Sequence, residues 1–362
     1  MDTLEFSLYG GWDIGKFDPL KGQLNDAQKR ARAGVDGAYI VGPEGDRLEV
    51  EPYGAKRGVG CKWVVQWNDC QISIVNNAMY SERRLSIFVS IGSLRLMEVG
   101  HEEAWSSLLQ MLASLGYEHI REVASRVDPC VDLADRSMDE VVLAHGQDRL
   151  ICRARSWAIR GKGKSAETYY RGSGPLLVRI YDKAVESQKD PIKQSVLIER
   201  RWGKRCKSAV RVEFQLRRKA LKRHFSITTA RELFDNLGTI TKWCHDEWFR
   251  IVDEFDRKNR NHARAETSEF WKEVQQAFES WTGTALPRVR NRRRLVPDLI
   301  QLKAQAVGCV VSIAAHVDGQ TFIDSWMTIG RELKEKAKQA VEQKRHELAA
   351  KARVIPDSQI PF

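Results

Sequence analysis

Three strand-length segments of this chain carry charged or polar residues at alternate positions. They are Arg126-Val-Asp128-Pro-Cys-Val-Asp132, Arg179-Ile-Tyr181-Asp-Lys183 and Arg211-Val-Glu213-Phe-Gln215-Leu-Arg217. In a β-strand, residues two apart point the same way. The pattern therefore predicts that Arg126, Asp128 and Asp132 share a face, as do Arg179, Tyr181 and Lys183, and as do Arg211, Glu213, Gln215 and Arg217. Val212, Phe214 and Leu216 fall on the opposite face of the third strand and suit a core. If the three strands are neighbours, one sheet face gathers carboxylates, a phenol, a lysine and several arginines. Clustered charges lose solvation, so such a face is costly to build for stability alone. Its inventory suits a phosphodiester and a metal ion.

The bulk numbers bound the rest. The chain has 362 residues and 42% hydrophobic content, enough for a real core and for two domains or one domain with an appendage. A formal charge of +11 and a pI of about 9.3 favour a polyanionic partner. Seven cysteines lie dispersed without CxxC pairs, which predicts reduced thiols and a cytoplasmic setting with no zinc site. The first residues, MDTLEFSLYGGWD, have neither the basic start nor the apolar run of a signal peptide, and the longest apolar stretches are too short and broken to span a membrane.

Along the chain the pattern predicts an α+β protein: a central, largely antiparallel sheet with flanking helices, then a mainly helical C-terminal region. Residues 1–40 are mixed, with a short helical run at Gln23–Ala33 and no evident role. Residues 41–225 read as the catalytic α+β domain. Within it, Cys61 to Val99 (KWVVQW, CQISIVN, RRLSIFVSIG, SLRLMEV) reads as strand throughout. His101–Tyr117 reads as an amphipathic helix, and Ser137–Ala144 as a short helix with a capping box from Ser137 and Glu140. Further strands are expected at Ser125–Leu133, Leu150–Arg160, Glu167–Arg171, Leu176–Ala184 and Ala209–Arg217. Helices are expected at 228–255, 260–281, 296–317 and 321–353 within a DNA-binding or oligomerisation region, 226–354. A tail, 355–362, follows.

Chemically, two or three carboxylates on adjacent strands can hold a hard divalent cation, Mg²⁺ or Mn²⁺. Asp128, Asp132 and Glu213 are the candidate ligands, with Asp182 and Glu186 in reserve. A phenol with a pKa of about 10 is a weak nucleophile that a neighbouring cation activates. Tyr181 is thus the candidate nucleophile, with Lys183 and Arg179 assisting, in an in-line attack on a DNA phosphodiester that leaves a phosphotyrosine. Arg126, Arg211, Arg217 and Arg218 are candidate phosphate contacts, since the guanidinium fork matches phosphate. Residues 200–223 hold eleven Lys/Arg against one acidic residue, Glu213, and Trp202 within them could stack on an unpaired base. A second basic cluster comprises Arg288, Arg290, Arg292, Arg293 and Arg294.

These residues carry a resemblance. RVDPCVDLA (126–134), TYYRGSGPLLVRIYDKAVE (168–186) and RVEFQLRR (211–218), with IFVSIGSLRL (87–96), resemble the trans-acting replication initiation factor family of rolling-circle initiators and related relaxases. The likeness covers about residues 60–225 best. It implies that Tyr181 nicks an origin strand and that acidic residues bind the metal. The eight histidines are dispersed and form no His-hydrophobe-His pair, in keeping with an acidic site. It also implies DNA as the partner, both a duplex origin and a single-stranded nick site, with host helicase and polymerase, and it accommodates a homodimer. Conjugative relaxation by the same chemistry, a non-catalytic origin-binding regulator and a metal nuclease using water are the alternatives.

Overall fold

Thr3–Trp12 (β1) alternates buried Leu4, Phe6 and Leu8 with half-buried Glu5, Ser7 and Tyr9, the period-2 pattern of a strand with one face on a core. It is the middle strand of the large sheet. The computed structural model describes residues 1–35, 37–43, 45–57, 59–77, 80–162, 165–254 and 265–282. All belong to the first of two compact units, Met1–Asn291; the second is Arg292–Phe362. The expected helices at 296–317 and 321–353, the tail and the Arg288–Arg294 cluster lie outside the described residues.

Eleven further strands join β1 in one sheet: Tyr39–Val41 (β2), Arg47–Val50 (β3), Trp63–Trp67 (β4), Cys70–Ile74 (β5), Ser81–Ile91 (β6), Tyr117–Asp128 (β7), Cys130–Ala134 (β8), Trp157–Lys162 (β9), Ser165–Ser173 (β10), Leu176–Asp182 (β11) and Ala209–Arg217 (β12). Their order is β9-β10-β11-β12-β7-β1-β6-β5-β4-β3-β2, with β8 also paired to β12, and every pairing is antiparallel. The fold is α+β, as the sequence pattern predicts.

The join between β7 and β8 shapes the site. Pro129 lacks an N–H and interrupts the ladder between them, and its carbonyl accepts from Phe214 N at 3.0 Å. Before it, β7 lies along β1 and touches only the end of β12, at Leu216 and Arg217. After it, β8 leaves β1 and pairs with β12 from Cys130–Glu213 to Ala134–Ala209. One bent run of chain thus ties the two halves of the sheet together. A bulge at Gly10 adds to the bend: a Cβ there would sit 2.1 Å from Glu118 O on β7, so only glycine lets the strands close.

Helix Ile14–Arg32 (α1) starts where the Asp13 carboxylate accepts from Gly15 N at 2.8 Å, and it buries Phe17, Leu20, Leu24 and Ala27. It is longer than the expected Gln23–Ala33 run. Ser93–Ser114 (α2) corrects the strand expected at SLRLMEV. The Asp69 carboxylate, a neighbour in space only, accepts from Leu94 N at 2.7 Å and caps a helix there, and Gly100, at φ 81°, kinks it. Asp139–Gly146 (α3) forms without the expected capping box: Ser137 accepts from Asp139 N, while Glu140 pairs with Arg136.

β11 stops at Asp182, whose carboxylate caps Lys183–Ser187 (α4) through Val185 N at 3.1 Å. Pro191–Leu197 (α5) continues into a π-helical turn, Ile198–Trp202, closed by Gly203 at φ 68°. After β12 come Arg218–Phe225 (α6), Ala230–Asp235 (α7), Leu237–Lys242 (α8) and Glu269–Thr282 (α9). The capping box that does form joins Thr229 and Glu232 at the start of α7. The expected 228–255 helix instead breaks into α7, α8 and a π-helical turn (Trp243–Trp248). It ends in a short strand, Phe249–Ile251, paired with Leu150–Cys152. Beneath the site strands, Phe214 packs on Trp248 and on Phe278 of α9. No helix among the described residues is long and apolar enough to cross a membrane.

Candidate active site

Register brings the three sequence segments together. Across β8, β12 and β11, one row reads Cys130, Glu213, Arg179 and the next reads Asp132, Arg211, Tyr181. Residues directly opposed in antiparallel strands share a face. Arg126 on β7 opposes Arg217 at the end of β12, and Asp128 lies beside Thr3 of β1. The expected polar face therefore exists, and it divides into two clusters.

The first is centred on Asp128 and Glu213, both fully buried. Arg126 donates to Asp128 through Nε (2.9 and 3.0 Å) and Nη2, and reaches Glu5 at 3.4 Å. Arg179 donates to Glu213 and lies 3.5 Å from Asp128. The Tyr181 hydroxyl donates to Glu213 Oε2 at 3.1 Å. Burial holds the Asp128 carboxyl well above the ordinary carboxylate range. Arg126 opposes that shift, and the charge of Glu213, to which it is hydrogen bonded, reinforces it. Burial and then the Glu213 charge also hold the Tyr181 phenol well above its usual range. The Arg126 and Arg179 side chains remain 20% and 29% exposed, so they form the accessible rim over buried carboxylates. Arg179 Nε has no hydrogen-bond partner among the described residues, leaving one buried donor unsatisfied.

The second cluster is saturated. Arg211, buried, grips Asp132 through Nε (2.6 Å) and Nη2 (2.8 Å) and Asp2 through Nη1 (2.6 Å). Trp202 Nε1 adds a third bond to Asp132 at 3.1 Å, and Arg201 lies 4.0 Å away. Despite its burial, Asp132 is pulled down to about 2 by the charge and hydrogen bonds of Arg211, with Arg201 and Trp202 assisting. Arg201 also donates to Met1 O (3.2 Å) and to Cys130 Sγ (3.3 Å).

The candidate residues thus separate. Tyr181, Arg179, Arg126, Asp128 and Glu213 converge. Asp132 and Arg211 neutralise each other. Lys183 is not on the Tyr181 strand face, because Asp182 has already begun α4; its buried ammonium instead lies 5.5 Å from the centre of the Tyr181 ring and 2.5 Å from Glu186. Burial, with Arg211 nearby, lowers the Lys183 pKa. Arg217 and Arg218 are exposed at the end of β12. Trp202 is buried at the base of the second cluster, its indole N–H satisfied by Asp132. Asp182 caps a helix and does not face the carboxylate pair.

Among the described residues, no three of His, Cys, Asp and Glu stand together as a metal-binding set. The donor chemistry of the Asp128–Glu213 pair still suits one hard cation. Two adjacent buried carboxylates lose solvation and repel each other when ionised, and a divalent ion relieves both costs.

The alternation in 3–12 signals the strand that carries Glu5 and positions Asp2 just before it, both absent from the sequence-based candidates. Nothing local signals Arg201, whose contacts are far away in the chain.

Comparison with known proteins adds the following. No family model matches the chain, and no curated protein matches it. Among solved structures, a rolling circle replication initiator protein from Geobacillus stearothermophilus is similar, with 16% identity and a TM-score of 0.44 over 79% of this chain and 97% of that one.

Proposed function

We propose that this chain is a nicking and joining enzyme of rolling-circle DNA replication, working through a 5′-phosphotyrosine on Tyr181. The observation that carries the reading is the hydrogen bond from the Tyr181 hydroxyl to Glu213, beside a buried carboxylate pair and beneath an arginine rim. A phosphodiester of single-stranded DNA docks on Arg126 and Arg179, whose planar forks suit its non-bridging oxygens. Anionic phosphate replaces part of the charge that these arginines share with Asp128 and Glu213.

Tyr181 Oη attacks phosphorus in line. Its proton passes to Glu213 Oε2, the acceptor it already faces. The bond from phosphorus to the 3′ oxygen breaks, the 3′ oxygen takes a proton from water, and the new Tyr181–phosphate ester retains the 5′ end. Reversal by a 3′-OH reseals the strand. The buried Lys183 ammonium, against the Tyr181 ring, favours the phenolate as it forms. Mg²⁺ or Mn²⁺ would be held by Asp128 and Glu213 and would act as a Lewis acid on the phosphoryl oxygens. Arg217 and Arg218 lie exposed on the flank and suit backbone phosphates.

Protein, Mn²⁺ and labelled single-stranded oligonucleotides tiling the cognate element should yield an SDS-stable adduct that Tyr181→Phe does not form. EDTA should stop nicking and leave duplex binding largely intact. Free 5′-phosphate ends without an adduct would replace tyrosine with water as the nucleophile. Replication supported by Tyr181→Phe as well as by wild type would leave only an origin-binding role.

A further inference from the structure

Between α4, α5 and the segment before β12 lies an open cavity of about 470 Å³ that no step above uses. Its walls come from α4, α5, the π-helical turn and the segment leading to β12. Two wall residues are continuous with the site. Ala184 follows Lys183, and Trp202 donates to Asp132, whose partner Arg211 opposes Tyr181 in register. The cavity thus adjoins residues that flank Tyr181, Lys183 through the chain and Arg211 through Asp132.

Its chemistry is specific. Ala184, Ile198 and the buried Trp202 give it an apolar floor. Gln188 and Gln194 stand on it with amides able to donate and accept at once. Arg205 and Lys207 are exposed at its rim. Among the described residues, none of these four polar side chains makes a hydrogen bond or ion pair. The Ile198–Trp202 turn is π-helical, a geometry that is rare and recurs at functional sites. A volume of this size lies within the range of about 300–1,000 Å³ typical of small-molecule sites. An apolar floor, two amides and two cations match the three parts of one nucleotide: base face, base edge and phosphate.

We infer that this cavity is a base-reading subsite, which takes an unpaired nucleotide of the single strand next to the scissile phosphate. Gln188 and Gln194 read the base edge, Trp202 and Ile198 support its face, and Arg205 and Lys207 hold the adjoining phosphate. The inference rests on the proposed strand-transfer reading for its choice of ligand. It assigns part of the sequence preference to the catalytic sheet unit itself.

The test uses the full chain and fluorescein-labelled dA, dC, dG and dT ten-mers, read by anisotropy without nicking. Wild type should prefer one homopolymer by roughly fivefold or more. Gln188→Ala with Gln194→Ala should erase that preference while keeping the mean affinity within about twofold. Arg205→Ala with Lys207→Ala should weaken all four homopolymers alike and flatten the salt dependence by roughly two units of slope. Equal binding of all four by wild type, or a preference untouched by the glutamine pair, overturns the inference. Adduct formation on Tyr181 is scored separately. A base preference that depends on the glutamines but occurs without any adduct keeps the subsite and removes the chemistry; an adduct without such a preference does the reverse.

Discussion

Asp128 and Asp132 sit four residues apart on one bent run of chain, face the same way and are both buried, yet their surroundings make opposite use of them. Asp132 accepts three hydrogen bonds from Arg211 and Trp202 and is held at about 2. Asp128 holds Arg126 but shares Arg179 with a second carboxylate, Glu213, and is pushed well above the ordinary range. A buried charge with a dedicated partner is architecture. Two carboxylates competing for cations that also reach solvent form a site whose balance a phosphate or a metal ion can tip. The contrast teaches that residue type and face are shared by the two positions, while the second carboxylate beside Asp128 separates them.

The largest effect expected is on the nucleophile. Tyr181→Phe should reduce adduct formation by at least about 10⁴-fold while leaving the melting temperature within a few degrees, since only one hydrogen bond to Glu213 is lost. Trapping on SDS gels alongside thermal melts measures both. Nicking retained above a few per cent would move the chemistry to another group.

Next comes the saturated cluster. Asp132→Asn should cost about 3–5 kcal/mol in chemical denaturation, because it leaves Arg211 buried with Asp2 alone. Asp128→Asn should change stability by less than about 1 kcal/mol, since burial already favours the neutral carboxyl there, but it should cut nicking by about 10²-fold or more. Equal destabilisation by the two variants would erase the distinction between the clusters.

The pH dependence follows from the same pair. Asp132 has a folded pKa of about 2 against an ordinary 3.8, so it binds its proton less readily when folded. Its contribution, about 2 kcal/mol, should be complete above about pH 4 and lost as pH falls toward 2. Asp128, shifted upward, has the opposite sign: it favours the folded state more at low pH, and that contribution fades as pH rises above the unfolded carboxylate range. In urea melts from pH 5 to 2, the gap between wild type and Asp132→Asn should narrow by about 2 kcal/mol toward the acid end. A constant difference across that range would show that Asp132 is not held ionised.

The smallest effect lies at the rim. Arg217→Ala with Arg218→Ala should weaken duplex binding and lower its salt slope by about two units, with single-strand nicking nearly unchanged. An unaltered slope would take both residues off the DNA path.

Much of the fold was legible because alternation is a local property. The β12 strand appears over the residues expected, and the three segments are neighbours as their shared pattern suggests. The same signal ran through Leu4, Phe6 and Leu8 and marks the strand that brings Asp2 and Glu5 to the site. SLRLMEV misled because its apolar spacing serves a strand or a short helix, and the deciding cap, Asp69, lies 25 residues from Leu94. Lys183 left its expected face because one aspartate, Asp182, was well placed to start a helix.

By itself, then, the sequence determined which side chains could share a face, since strand period is fixed by backbone geometry. It also determined that the face would be rich in both signs of charge. Only the tertiary structure decided which carboxylate met which cation. Arg211 finds Asp132 across 79 residues and Asp2 across 209, and Tyr181 finds Glu213 across 32. Charge state depends on burial and on distances through space, and neither is written in the spacing of residues along a chain.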